Sequence, residues 1–366
     1  METLVDFFRN IDFPTNKTEE YRFTPVMRVL QKAFPNGFTA GSTKEISPEE
    51  YLIPGLDCTV IAVIDGLYKS AAEPNPSNDP FDKLNASLSN GVLEIKATDG
   101  KPVLLLNINT GSTNIHNRYS IKVEKDSSIS VIERTINLSS SPVFQTVSHE
   151  ISVLENARLE YFKIQDAPNV IEVCNTSIVQ KDNSHVNTFT LLTDGTLVRN
   201  NLTIDIDGER CESHFHGLSL LNGETIGDHH TVVDHRKPNS FSNELYKGVM
   251  DDRSKGVFNG KIYVRPHAQK TNAFQSNRNI LLSEQATINT KPQLEIWADD
   301  VKCSHGCTTG QLDDEAMFYL QSRGISKNDA RAMLLYAFAM QTTELITIEP
   351  LKAYIDRLIS ARLYAQ

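Results

Sequence analysis

From about residue 89 onward the chain repeats one short phrase for some 210 residues, and that phrase limits what it can fold into. Val103-Leu-Leu-Leu-Asn-Ile, Ser128-Ile-Ser-Val-Ile-Glu, Ala157-Arg-Leu-Glu-Tyr-Phe-Lys-Ile, Ser184-His-Val-Asn-Thr-Phe-Thr-Leu-Leu, Leu202-Thr-Ile-Asp-Ile and Lys261-Ile-Tyr-Val are short β segments bounded by Asn, Asp or Gly. A polar residue followed by a small one recurs at the breaks: Asp126-Ser, Asn156-Ala, His267-Ala and Gln285-Ala. The interval is irregular, so a strict repeat is not claimed. A sandwich, a propeller or a parallel β-helix can hold so many short strands. Asn and small residues at corners, only 8% aromatic content and no blade signature favour the β-helix. At about 20–25 residues per turn it would make roughly nine turns, a rod about 40 Å long at the ~4.8 Å strand spacing. Such a rod has open edges at both ends, and the non-repetitive terminal regions are expected to cap them.

The period changes at Lys291-Pro-Gln-Leu-Glu-Ile-Trp-Ala-Asp-Asp-Val-Lys-Cys-Ser-His-Gly-Cys-Thr-Thr-Gly310. Beyond it Asp313 to Gly324 reads as a helix, with acids first and Arg323 last, as the helix dipole favours. Ser326 is placed to cap a second helix with Asp329 near the capping-box position. Its Ala330, Met333, Leu334, Ala337, Phe338 and Gln341 fall on one side, either packed on the chain's own domain or presented to a partner. Pro350 opens a third helix with Leu351, Tyr354, Ile355, Leu358 and Ile359 on one face. Near the start, Val26, Val29, Leu30 and Phe34 follow Pro25 at helical spacing, Asp57–Gly66 reads as a buried strand, and Phe81–Leu88 as a short helix. The expected domains are 1–88, mixed and helical; 89–310, the β core; and 311–366, helical.

A 366-residue chain with 39% hydrophobic and 22% charged residues is a globular protein of two or three domains. A net charge of −10 without a basic block disfavours nucleic acid, and no apolar run approaches the roughly 18 residues of a membrane span. The acidic start, Met1-Glu-Thr-Leu-Val-Asp, is unlike a signal peptide, so a cytoplasmic location is expected. Five cysteines, an odd number and mostly far apart, read as free thiols.

Candidate chemistry gathers at the junction. Cys303 and His305 are two residues apart, so on a strand both side chains point to one face, as thiolate and imidazole would in half of a site for iron or zinc. Cys303 alternatively reads as a small core residue and His305 as a surface one. Cys307 completes a Cys-x3-Cys without a second ligand pair, which is too little for a closed zinc site. Asp299 and Asp300 read as a polar turn. His214, His216, His229, His230 and His235 cluster without the spacing of a cupin metal motif and read as polar residues on solvent faces. No nucleophile elbow, Walker loop or dinucleotide fingerprint is present.

Tyr246–Val264, Ala268–Ser283, Thr290–Gly306 and Phe318–Ile325 each resemble signature motifs of the SufB/SufD family, and together they span about 230–340. The short chain and the strand Ala157–Asp166 resemble the SufD side of it. The resemblance implies a mainly β chain: a right-handed parallel β-helix core between an N-terminal mixed domain and a C-terminal helical domain. It implies a non-catalytic subunit of an iron–sulfur cluster assembly complex with SufB and the ATPase SufC. SufB would pair through the core strands and SufC would dock on the C-terminal helices, at Met333, Leu334, Ala337 and Phe338. An isolated chain would be free to pair with itself. Cys303 and His305 match the positions the family associates with cluster assembly, so iron or a cluster would be shared transiently with SufB rather than firmly bound. Cys307 stands where a small residue is expected, either silent or an additional ligand. A carbohydrate-active β-helix enzyme would need paired acids and exposed aromatics, and the chain has one Trp. A purely structural adaptor would leave Cys303 and His305 inert.

Overall fold

The computed structural model describes residues 13–15, 17–39, 45–70, 72–96 and 100–364. Among them the strands form two parallel sheets. The first holds nine strands: β1 (Thr59–Ile64), β3 (Val103–Asn109), β5 (Ser128–Asn137), β7 (Arg158–Gln165), β9 (His185–Leu192), β11 (Glu212–Leu221), β13 (Phe241–Met250), β15 (Asn272–Leu281) and β17 (Lys302–Gly310). The second holds eight: β2 (Leu93–Ile95), β4 (Asn114–Val123), β6 (Val143–Val153), β8 (Val170–Gln180), β10 (Leu197–Ile206), β12 (Ile226–His235), β14 (Lys255–Val264) and β16 (Thr287–Ile296). The chain alternates between the sheets, so each strand pairs with the next but one. This is the expected parallel β-helix, with β1 as an earlier first strand. The turn is longer than 20–25 residues: after the first pair it runs from 26 (Ile171 beside Leu197) to 32 (Lys255 beside Thr287). Two strands of about ten residues and two corners require that length, so the core makes about seven turns, not nine.

The corners explain the punctuation. Asp126, Asn156, Asn183, Arg210, Asn239 and Lys270 occupy equivalent corners with φ between 55° and 65°. Asn and Asp tolerate this left-handed conformation better than most residues. All but Asp126 are followed by a buried small or short residue (Ala157, Ser184, Cys211, Ser240 and Thr271). The corner amides stack, with Asn156 N–H donating to the Asp182 carbonyl and Asn183 N–H to the Glu209 carbonyl. Of the phrases read from sequence, Asp126 and Asn156 are on this ladder; His267 and Gln285 are not.

Three apolar regions organise the packing. Val131, Leu159, Ile178, Val186, Ile204, Val233, Ile262 and their neighbours fill the space between the sheets. The outer face of the first sheet, with Leu104, Ile132, Phe162, Leu191 and Leu218, is covered by Leu335, Ala339, Leu351, Ile355, Ile359 and Leu363. These belong to the C-terminal helices that follow α1 (Val26–Ala33), α2 (Pro80–Leu88) and α3 (Asp314–Ser322), namely α4 (Lys327–Met340) and α5 (Glu349–Tyr364). The outer face of the second sheet, with Phe144, Ile171, Val173 and Leu197, is covered by Val26 and Leu30 of α1, Phe34, and Phe81 and Leu84 of α2. The terminal regions therefore cover the flanks. Among the described residues none caps the end formed by β16 and β17, contrary to expectation, because the outward faces of both sheets are themselves apolar and have to be buried. Among the described residues no helix is long and apolar enough to cross a membrane.

Candidate functional site

β17 is the last strand of its sheet, with β15 on one side and, among the described residues, no strand on the other. β16 ends the second sheet at the same end. Lys302 N–H donates to the Thr271 carbonyl on the β15 side. In a parallel ladder alternate residues bond alternate neighbours, so the backbone groups of Cys303, His305 and Cys307 face the free edge. Their side chains all turn toward the space between the sheets, as period 2 requires. Cys303 is half-buried against the interior core, while His305 and Cys307 are exposed. Cys307 Sγ lies 2.9 Å from Thr290 Oγ1 on β16 and 4.0 Å from Asn277 Oδ1 on β15. The structure thus brings the three sequence candidates to one open rung. Burial pushes the Cys303 thiol above its ordinary value, partly offset by the Ala273 backbone. In this chain alone Cys303 is a weak nucleophile. Among the described residues no group of three or more His, Cys, Asp or Glu is arranged to hold a metal ion. Two or three donors on one edge are too few for a closed four-ligand site within this chain.

The rungs behind this edge are polar, which the sequence reading did not find. His305 stacks beside Gln275, and Gln275 beside Glu244; Cys307 stacks beside Asn277. Glu244 is fully buried and accepts from Thr231 Oγ1 at 2.5 Å and from Gln275 Nε2 at 3.0 Å. Burial pushes its carboxyl up to about 7, against the pull of those two donors. Deeper in the same interior, Lys163 Nζ is 3.0 Å from Glu172 Oε1 and 4.0 Å from Glu133 Oε1, and His149 Nε2 is 3.0 Å from Glu133 Oε2. Burial would raise Glu133, but Lys163 and His149 outweigh it and hold it at about 2. The available signal was polar residues at the inward positions of strands, as in Phe274-Gln-Ser-Asn-Arg-Asn279.

The histidine cluster does not lie on solvent faces as expected. His229 and His235 are buried between the sheets, bonded to Ser219 Oγ (3.0 Å) and Ser242 Oγ (2.8 Å), and His216 Nδ1 is 3.0 Å from the Thr342 carbonyl. His214 sits beside Glu212, and His230 beside Asp228. They share no site with Cys303.

In α4 the buried side is Ala330, Ala332, Leu335 and Ala339. Met333 is 42% exposed, Ala337 is also exposed, and Leu334 and Phe338 are half-buried. The sequence stripe is thus rotated away from the core. Ser326 caps the helix as read, accepting from Asp329 N–H at 3.1 Å. Phe318 and Tyr319 of α3 are exposed nearby in sequence, and α3 buries none of its residues. A cavity of about 990 Å³ lies over the outer face of the second sheet, yet its carboxylates Asp82 and Glu150 grip Arg118 at 2.8 and 2.7 Å.

Residues 106–338 match the family model described as "SUF system FeS cluster assembly, SufBD core domain". The chain is 31% identical over 382 aligned residues to the iron–sulfur cluster assembly protein SufD of Escherichia coli K12, covering 96% of this chain and 89% of that one. It is 34% identical to the SufBD family protein slr0076 of Synechocystis, over 67% of this chain and 56% of that one. It is 27% identical to SufD of Bacillus subtilis, over 69% and 59% respectively. With that match across its β-helix and an open rung carrying Cys303 and His305, the chain belongs to the SufBD family, on its SufD-like side.

Proposed function

We propose that this chain is a non-catalytic platform subunit of an iron–sulfur cluster assembly complex, paired with a SufB partner and driven by a SufC ATPase. The observation that carries this reading is a thiol and an imidazole on β17, a terminal strand whose outer backbone edge pairs with no other strand among the described residues. A second β-helix that adds its own edge strand to β17 would satisfy those N–H and C=O groups and bring further ligands against Cys303 and His305. Iron or the nascent cluster is the cargo of that joint site, and Cys307 is a bystander.

α4 turns Met333 and Ala337 outward, a surface suited to the ATPase. Closure of two ATPase subunits would pull on the helices packed against the first sheet and shift the paired edges, opening the joint site to iron. In isolation the same edge would allow two copies of this chain to pair.

Anaerobic reconstitution with SufB and SufC, followed by iron and sulfide analysis, tests the reading. Cys303→Ser and His305→Ala are each expected to assemble the complex and to lower cluster yield at least about tenfold, since losing even an outer-shell partner of a ligand costs that much. Complexes whose yield ignores both changes would make the chain a structural adaptor. Cleavage of polysaccharide by the isolated chain would instead mark it as an enzyme.

A further inference from the structure

We propose that Gln275 is a positioning residue for His305: its side-chain carbonyl accepts the proton-bearing nitrogen of the imidazole and turns the other nitrogen toward the cargo. This rests on the reading of His305 as a ligand of the joint site. Gln275 occupies the rung directly beside His305, on the same inward side. It is 3% exposed, and its amide nitrogen donates to Glu244 Oε1 at 3.0 Å. Above about 7 Glu244 is a carboxylate, which only accepts, and there the contact fixes which end of the amide is which. The carbonyl oxygen Oε1 is buried and has no hydrogen-bond partner. A buried carbonyl without a donor is costly unless a donor arrives. His305 is the neighbouring side chain on the open side, about 4.8 Å along the stack.

The site is built around this amide. Gly260 faces it from β14, and a Cβ there would overlap Gln275 Nε2. Glycine inside a strand weakens it, so this one has a packing reason. Thr231 holds the far oxygen of Glu244 at 2.5 Å. The order carboxylate, amide, imidazole resembles the outer-shell arrangement that orients metal-binding histidines and raises their basicity.

The test uses the full chain labelled with 15N, with the ring nitrogens of His305 read by long-range 15N–1H correlation where the imidazole is neutral. Their signals are assigned by loss in His305→Gln. The wild type should hold one tautomer. Gln275→Met, nearly isosteric, should move it toward the mixed populations of a solvated ring and weaken Co(II) binding roughly 10–100-fold. Gly260→Ala, which displaces the amide from the other sheet, should give the same tautomer change, so the inference does not hang on one variant folding. A tautomer that both variants leave unchanged, in chains whose melting shows them folded, overturns it. If instead His305→Gln binds Co(II) as tightly as wild type, the ligand reading fails, while the tautomer result still decides the role of Gln275.

Discussion

The sulfur of Cys307 and the hydroxyl of Thr290 lie 2.9 Å apart, joining the edge strands of the two sheets across the mouth of the last turn. Cys307 is nonetheless exposed, whereas Cys174 and Cys211 are buried. Alkylation of the native isolated chain should label Cys307 first and Cys303 more slowly, because burial raises the Cys303 thiol. Cys174 and Cys211 should react only on unfolding. Mass spectrometry of the time course reads the order. Early modification of Cys174 would contradict the closed interior.

Backbone pairing at the free edge can be separated from side-chain chemistry. Cys307→Ala is expected to cost less than about 1.5 kcal/mol, the scale of one hydrogen bond. Cys307→Pro removes a free-edge N–H without touching the β15 ladder. Ultracentrifugation should show the Ala variant joining SufB and the Pro variant failing to do so. Equal assembly by both would place the interface elsewhere.

Lys163 answers two buried carboxylates, Glu133 and Glu172. Lys163→Met leaves Glu172 without its cation and Glu133 with His149 alone. The expected loss is about 3–5 kcal/mol in urea unfolding, the range for breaking a buried pair from one side. A loss below about 1 kcal/mol would mean that the interior admits water there.

Histidine burial sets a pH optimum. Burial pushes His116 down to about 3 and His229 and His235 to about 4, so these groups stay neutral when folded. Below their ordinary value near 6.5 the unfolded chain takes up their protons first, and stability falls as pH drops from about 6.5 toward 4. Glu244, raised to about 7, opposes this with a single group. For His149 burial alone would lower the ring, but Glu133 outweighs it and holds it at about 9. Its contribution is full below about 6.5 and is lost as pH rises through 9. Melting temperature should therefore peak close to pH 6.5. A protein that grows steadily more stable from pH 6.5 to 4 would refute the assignment of buried neutral histidines.

On α4, Met333 points outward while Phe338 lies under Lys247, whose Nζ sits 4.2 Å from the ring centre. Met333→Asp should leave the melting temperature within a few degrees and abolish SufC binding in a pull-down. Phe338→Ala should lower stability by about 1–3 kcal/mol whatever the ATPase does. Unimpaired binding by Met333→Asp would move the docking surface off this face.

Much was legible along the chain because it depends on neighbours in sequence. Alternation, left-handed Asn and Asp corners, the Ser326 cap and the pairing of Cys303 with His305 on one side of a strand are local consequences of residue type and period. Which rung stays open, what covers each flank and how far α4 is rotated depend on contacts between turns about 30 residues apart or between the core and distant helices. Leu335 and Met333 differ little in hydropathy, and only packing against the first sheet buries one and exposes the other. The same holds for Gln275 and Glu244, polar residues that only the assembled stack encloses. Residue type and period along the chain specify a stacked parallel coil that carries sulfur and imidazole near its last strand. That this strand is an uncovered edge with a polar interior behind it follows only from the packed turns, because burial is settled by the assembled turns and not by any one of them.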